Sequence, residues 1–337
     1  MAGVQSPKGA TVVQYLKKYP KMPKLALAKL MHKEEPKMFP DIEGARGIIR
    51  SYTGQKGNVR INPGNKHGTA REKGVSGEDA WREMMPKSDA EDWEPFILAH
   101  RGGLRILLLS DIHLPFHSEE ALAVAIEHGK SKNPNLILLN GDLLDCYQFS
   151  SFERDPRKRS VGAEMNAARS FFAMIRSAFP TSRIVWKLGN HEERYERWLM
   201  KYAPHLLDVP EFDYFSHLEC AKHGVEIVKD KRIIHAGRLH ILHGHEYRGF
   251  GGVNPARWLY LRTKDNAICG HFHRVSEHIA KTVGRKVQGA WSTGCLSELY
   301  PDYMRLNDWA HGFAFVSVEG NGDFDVTNYK IIDGKVC

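Results

Sequence analysis

Over residues 104–337 the apolar positions fall into two regimes. Arg105–Ser110 (RILLLS), Leu136–Leu139 and Arg183–Leu188 are short apolar runs of the kind that form strands buried on both faces. Between them, Glu119–His128 and Ala163–Ala178 repeat their apolar positions with helical spacing. This alternation predicts βαβ units. The later runs, Arg232–Ile234, Leu239–Leu242, Ala267–Cys269, Phe313–Val318 and Asp325–Ile331, all read as strands. An α/β first half followed by a β-rich second half predicts a layered α/β sandwich with its sheets in the middle.

Residues 10–53 show a different pattern, that of three short helices. Val12, Val13, Tyr15 and Leu16 give the first an apolar side, and Pro20 and Pro23 end it. Lys24–His32 is amphipathic, and Pro36–Pro40 forms a turn. Asp41 is the expected N-cap of a third helix that runs to Tyr52 and stops at Gly54. Arg46 and Arg50 stand four residues apart on one face of it, as candidate nucleic-acid contacts. The unit reads either as a helix-turn-helix DNA binder or as a helical cap with a solvated basic face. Residues 54–75 carry no apolar period and read as a flexible basic arm. Trp81 and Trp93, in the acidic stretch that follows, are candidates for docking the connector onto the next domain. The expected organisation is a small basic helical domain over 1–55, an arm and connector over 56–103, and a catalytic domain over 104–337.

Charge sharpens this division. The net +8 arises from +10 in residues 1–75, −4 in 76–103 and +2 in 104–337. A basic segment on a near-neutral body points to a polyanionic partner, nucleic acid first. The five cysteines are widely spaced with no C-x-x-C, which argues against a disulfide framework and for a reducing compartment. No apolar run approaches the roughly 18 residues that span a bilayer, and the first thirty residues lack a signal-peptide core. A cytoplasmic protein without a membrane partner is expected, with its oligomeric state left open.

The histidines carry the chemistry. Of 18, 15 follow residue 103. Metal-type side chains gather where successive strands end: Asp111 and His113, then Asn140, Gly141, Asp142 and Asp145, then Gly189–Glu192. His243-Gly244-His245 and Gly270-His271-Phe272-His273 follow. Ligand sites in open α/β sheets lie at that edge. Each block alone is weak, because a D-x-H or G-D pair is usually a turn. Five in order, all supplying oxygen or imidazole, point to a divalent metal of the Mn, Fe, Zn or Ni type rather than Ca.

Together, Asp111-x-His113, Gly141-Asp142-x-x-Asp145, Gly189-Asn190-His191-Glu192, His243-Gly244-His245 and Gly270-His271-x-His273 resemble the calcineurin-like metallophosphoesterases over residues 104–275. The fuller texture, with Asp111-Ile-His-Leu-Pro-Phe-His117 and the basic helical N-terminus, resembles bacteriophage-encoded members, which would act in the host cytoplasm. The resemblance implies an α/β-β/α sandwich and two divalent cations, manganese first, sharing Asp142. Asp111, His113, Asp142 and His273 would hold one cation, and Asp142, Asn190, His243 and His271 the other. A hydroxide bridging the cations would attack phosphorus, His191 would protonate the leaving group, and Asp145 would orient its ring.

One position departs from the pattern of the superfamily's protein phosphatases. They carry arginine directly after the second aspartate of the G-D-x-x-D block, where this chain has Cys146, which argues against a phosphoprotein substrate. Arg194 and Arg274 flank the motifs as candidate phosphate clamps or as members of surface ion pairs, and His245 is a candidate for lining the site. His117 is a further candidate for approaching the pocket, and Gly249–Gly252 reads as a mobile loop near the metals. No Walker A, H-E-x-x-H or G-x-S-x-G motif is present. Three functions remain open at this stage: a nucleic-acid phosphodiesterase (a nuclease or end-processing enzyme), a small-nucleotide phosphodiesterase or phosphatase, and a DNA-binding scaffold with a relic site.

Overall fold

The structure, a computed structural model, describes residues 7–20, 22–53, 82, 85–90, 93–99, 102–152, 155, 157, 160–249 and 251–337. The basic arm and Trp81 lie outside these residues. The chain divides into two compact units, Met1–Asp89 and Ala90–Cys337.

The first unit contains the three expected helices, α1 (Pro7–Lys18), α2 (Lys24–Glu34) and α3 (Ile42–Tyr52). Their apolar stripes meet in a core of Val12, Leu27, Ala28, Met31, Phe39, Ala45 and Ile49. Asp41 caps α3 by accepting the Gly44 N–H at 2.6 Å. Arg46 donates to Glu43 at 3.2 Å, and its side chain is only 13% exposed. The pairing binds this candidate nucleic-acid contact into its own helix. Arg50 is half-buried one turn further on.

The second unit is a four-layer sandwich. One sheet runs β13 (Lys335–Val336), β12 (Phe324–Ile332), β11 (Gly312–Val318), β2 (Leu104–Leu109), β3 (Leu136–Asn140), β4 (Arg183–Lys187), β5 (Val225–Val228). Strands β2 to β5 are parallel. The other sheet runs β1 (Phe96–Leu98), β6 (Ile234–Ala236), β7 (Leu239–Ile241), β8 (Ala267–Cys269), β10 (Val287–Ser292), β9 (Ser276–Lys281). Strand periodicity sorts the core. Ile106, Leu108, Leu138 and Val185 face Ile234, Ile241 and Ile268 between the sheets. Their neighbours Leu107, Leu109, Ile137 and Trp186 face the opposite way, onto α4 (Glu119–Ser131) and α5 (Val161–Ala178). On the far side, α7 (Pro255–Thr263) covers Ala267, Cys269 and Ala290 through Leu259. A further helix, α6 (Glu193–Tyr202), follows β4.

Strand β1 moves the expected boundary at residue 104. It pairs in parallel with β6, Phe96 opposite Ile234, so the end of the connector belongs to the second unit. Trp93 sits just before it and donates its indole N–H to the Asp230 carbonyl at 3.2 Å. A three-residue edge strand beside an acidic stretch carries too little periodicity to be read from the sequence.

Candidate metal centre

The parallel direction of β2, β3 and β4 delivers Asp111 and His113, Asp142 and Asp145, and Asn190 and His191 to one edge of the first sheet. Parallel β7 and β8 deliver His243, and His271 with His273, to the adjoining edge of the second. Asn140 ties the two edges together. Its side-chain N–H donates to Leu242 O at 2.8 Å, and its carbonyl accepts from His243 Nδ1 at 2.7 Å.

Asp142 stands at the centre and is almost fully buried. Its Oδ2 lies 3.2 Å from His243 Nε2, 3.8 Å from His191 Nε2 and 4.0 Å from His113 Nε2. Its Oδ1 accepts the His191 backbone N–H at 3.0 Å. Burial alone raises such a carboxyl, yet His243 and His191 hold it well below the usual carboxylate range. On one side Asp111, His113 and His273 converge, with His273 Nε2 3.2 Å from both Asp111 Oδ1 and His113 Nε2. On the other, Asp142, His243 and His271 converge.

This donor set fits a pair of divalent cations. Two buried carboxylates, several imidazoles and one amide face a common space, a mixed O/N set for borderline metals. Asn190 Oδ1 is buried without a hydrogen-bond partner, and so is His243 Nε2. The bond from His243 Nδ1 to Asn140 O fixes the tautomer that leaves Nε2 as the donor to a metal. Burial lowers His271 to about 3, and repulsion from His243 acts in the same direction, so this ring is neutral and able to ligate. His273 and His243 are both raised to about 10. In each, neighbouring groups outweigh a burial that acts downward: Cys295 and Asp111 for His273, Asp142 for His243. The buried carboxylates demand positive charge here.

The backbone is shaped for this convergence. Asp111, His113, Asp142, His271 and His273 all adopt the left-handed conformation, with φ between +50° and +68°. Non-glycine residues rarely do so, and such strain collects at functional sites. Gly141 is required for two reasons: its φ is +87°, and a Cβ there would lie 2.2 Å from the His243 ring.

Other predicted positions take more specific roles. Asp145 Oδ1 lies 3.3 Å from His113 Nδ1 and 3.5 Å from His191 Nδ1, while its backbone carbonyl accepts from His191 Nδ1 at 2.8 Å. Its main chain, more than its carboxylate, therefore sets the His191 ring. Burial opposes ionisation of Asp145, but hydrogen bonds from His113 and His191 hold it well below the usual range. Arg194 lines the cleft, donating to His191 Nε2 at 2.7 Å and to Asp145 O at 2.9 Å. Arg274 pairs loosely with Asp308 at 3.9 Å, the surface ion-pair alternative. His245 is turned to Glu193 at 3.0 Å, and neither it nor Arg274 lines the cleft. His117 bridges to Ser297, and Gly251 lies against Phe272, between His271 and His273.

Sequence reasoning missed the groups that hold these loops. Glu192 is buried and accepts the N–H groups of Asp142, Leu144 and Gly189 at 3.0, 2.9 and 2.7 Å, clamping the second and third blocks together. Burial, with Asp142 nearby, raises it to about 7. Glu246 does the same for the fourth block, accepting from His243 N and Gly244 N. It pairs at 2.7 Å with the fully buried Lys187. A glutamate three residues after His243 was the available signal, since short-range acceptance of loop N–H groups is a common carboxylate role.

Residues 104–275 match the calcineurin-like phosphoesterase family, to which the chain belongs; its members bind two divalent cations. It is a metal-dependent hydrolase of phosphoric esters. Among curated relatives, the Gene 54 protein of Mycobacterium phage L5 is 26% identical over 234 residues, 64% of this chain and 89% of its own length. The Gene 54 protein of Mycobacterium phage D29 is 25% identical over 236 residues, with 64% and 90% covered. Among solved structures, Vps29 from Entamoeba histolytica matches at 13% identity and a TM-score of 0.37, covering 69% of this chain and 96% of its own. Among the described residues, no helix is long and apolar enough to cross a membrane.

Proposed function

We propose that this chain hydrolyses phosphodiester bonds in nucleic acid, as a nuclease or end-processing enzyme, with manganese as the preferred metal. The observation that carries the reading is Asp142, central to two converging groups of ligand atoms beside an open cleft. In this reading one cation is held by Asp111, His113, Asp142 and His273, and the other by Asp142, Asn190, His243 and His271. Bound there, the two cations supply Lewis acidity and lower the pKa of water.

The chain's own residues do the rest. Asp142 fixes the spacing of the two ligand groups. His191, held by the Asp145 carbonyl through Nδ1, carries a proton on Nε2 to the departing alkoxide. Arg194, which rests against His191 Nε2, turns its guanidinium to the phosphate as substrate enters. That turn frees Nε2 to take up a proton from solvent, and the ring so protonated then acts as the acid. The basic first unit and its arm bring the polyanion to the cleft.

A second reading, a phosphodiesterase or phosphatase for small nucleotides, draws on the near-neutral charge of residues 104–337. In that case the first unit serves assembly or localisation. Turnover of an oligonucleotide, a cyclic dinucleotide and a mononucleotide separates the two.

The mechanism is tested with Mn²⁺ on bis-p-nitrophenyl phosphate and on a dinucleotide. Asp142→Asn is expected to remove both activities. His191→Ala is expected to lower dinucleotide turnover by about 10²–10⁴-fold. Its loss on bis-p-nitrophenyl phosphate is expected to be far smaller, because p-nitrophenolate leaves without a proton. An unchanged rate in Asp142→Asn sinks the metal assignment, and equal losses for His191→Ala on both substrates sink its role as the acid.

A further inference from the structure

The cleft in front of the candidate ligands has a volume of about 1120 Å³. Its floor is polar, formed by Asp142, Asn190 and the histidines. Part of its wall is not: Tyr303, Met304 and Trp309 line it from the segment between β10 and β11. That segment lies beyond residues 104–275, the part of the chain shared with the family.

The wall is built rather than loose. The side-chain N–H groups of Asn307 donate to Leu299 O and Met304 O, both at 2.7 Å, and its Oδ1 accepts the Trp309 N–H at 2.8 Å. Ala310 N donates to His273 O at 2.8 Å, which fastens the segment to the fifth block. The Trp309 ring stands 4.1 Å from the His273 ring, and the Tyr303 ring 6.4 Å from Trp309 at 65°. Tyr303 is 60% exposed, so its ring meets the open cleft.

The charges beside the wall are balanced locally. Asp302 is engaged by Arg305, and Asp155 is held by Arg157 through two bonds of 3.0 Å. The carboxylates at the mouth are thus neutralised against an incoming phosphate. Arg194 and the cation-demanding floor lie further in.

Aromatic faces next to a phosphate-binding floor are the combination that recognises single-stranded nucleic acid. Every base has a π-face to stack, whereas duplex bases are already stacked on one another. An acyl chain would need a dry apolar lining, and this wall shares its cleft with Arg157, Asp155 and Asp302. We infer that Tyr303 and Trp309 form a stacking platform for an unpaired nucleobase next to the scissile phosphate. The inference rests on the nucleic-acid reading above and narrows it to single-stranded or frayed substrates.

The test uses the full chain and two strands: an octathymidylate and the same sugar–phosphate octamer without bases. Binding is measured by anisotropy in EDTA, which prevents cleavage. Both strands carry the same phosphates, so any contribution from the basic first unit cancels in their ratio. The wild type is expected to prefer the base-bearing strand. Tyr303→Ala is expected to cut that preference about 5- to 100-fold, as loss of one stacked base does, while leaving abasic binding within twofold. Tyr303→Phe is expected to restore the preference. Trp309→Leu is expected to act in the same direction, with Tyr303 as the control for any disturbance of His273. Equal affinity of the wild type for the two strands overturns the platform, and so does equal weakening of both strands by Tyr303→Ala. Failure to hydrolyse bis-p-nitrophenyl phosphate with Mn²⁺ would instead overturn the catalytic reading, while the binding ratio still decides the platform.

Discussion

Asp142 shows how one residue is made to serve two sets of ligands. Its backbone N–H is taken by Glu192, its Oδ1 by His191 N, and its Oδ2 faces three imidazoles. With the backbone N–H and Oδ1 engaged in this way, Oδ2 is left facing the imidazoles. Next to this cluster, Glu164 offers a titration clear of the ligands. It is buried, accepts Cys146 N at 3.0 Å and the Tyr214 hydroxyl at 2.8 Å, and burial raises its carboxyl to about 7. A raised carboxyl binds its proton more tightly in the folded state than in the unfolded chain. Its contribution to stability is therefore complete below the ordinary carboxylate value near 4.5 and is lost as pH rises through 7. Glu164→Gln, which keeps the shape and never ionises, is expected to be relatively more stable than the wild type at pH 8 than at pH 4.5. The gap should change by roughly 2 kcal/mol across that range. Denaturant melts at the two pH values measure it, and a gap independent of pH would show that Glu164 titrates normally.

At the scale of elements, the strands were legible because burial on both faces leaves continuous apolar runs. β2, β3, β4, β8 and β11 lie within a residue or two of their predicted bounds. Helices α6 and α7 and strands β5, β9 and β10 were not. β9, for example, alternates half-buried and exposed positions (SEHIAK) and looks like loop. The loops after the strands were legible as blocks of residue types. Their left-handed turns and the carboxylates that clamp them were not, because those depend on contacts across the fold. Gly141 makes the point testable. Gly141→Ala places a methyl where the His243 ring stands and imposes a strained φ. It is expected to cost on the order of 1–3 kcal/mol of stability and to weaken Mn²⁺ binding, read by thermal melts with and without metal. Wild-type metal affinity in this variant would mean that His243 moves freely.

At the scale of the whole molecule, the positive charge belongs to residues 1–75 and the chemistry to the second unit. The first unit folds around its own core, and its Arg46 is paired with Glu43. In the nucleic-acid reading proposed above, its attraction for a polyanion rests on the remaining lysines and arginines rather than on that residue. Deleting residues 1–75 is expected to weaken duplex DNA binding and to flatten its dependence on salt, each lost phosphate contact reducing the slope by about 0.9. Turnover of bis-p-nitrophenyl phosphate is expected to stay within twofold. An unchanged salt slope would place nucleic-acid binding in the second unit alone.

The sequence by itself determined the class of fold, the order of the five ligand blocks and the residue types that compose them. Strand periodicity and metal chemistry are both local in the chain and survive without a structure. Only the tertiary structure decided which side chains meet. Asp142 reaches His243 because Asn140 ties two sheets edge to edge across 102 residues of chain. Arg194 rests on His191 while Arg274 turns to Asp308. Tyr303 and Trp309, with no motif to mark them, stand beside the ligands because the segment after β10 is fastened to His273. These are contacts between distant segments, set by packing and hydrogen-bond geometry that no short stretch of sequence contains.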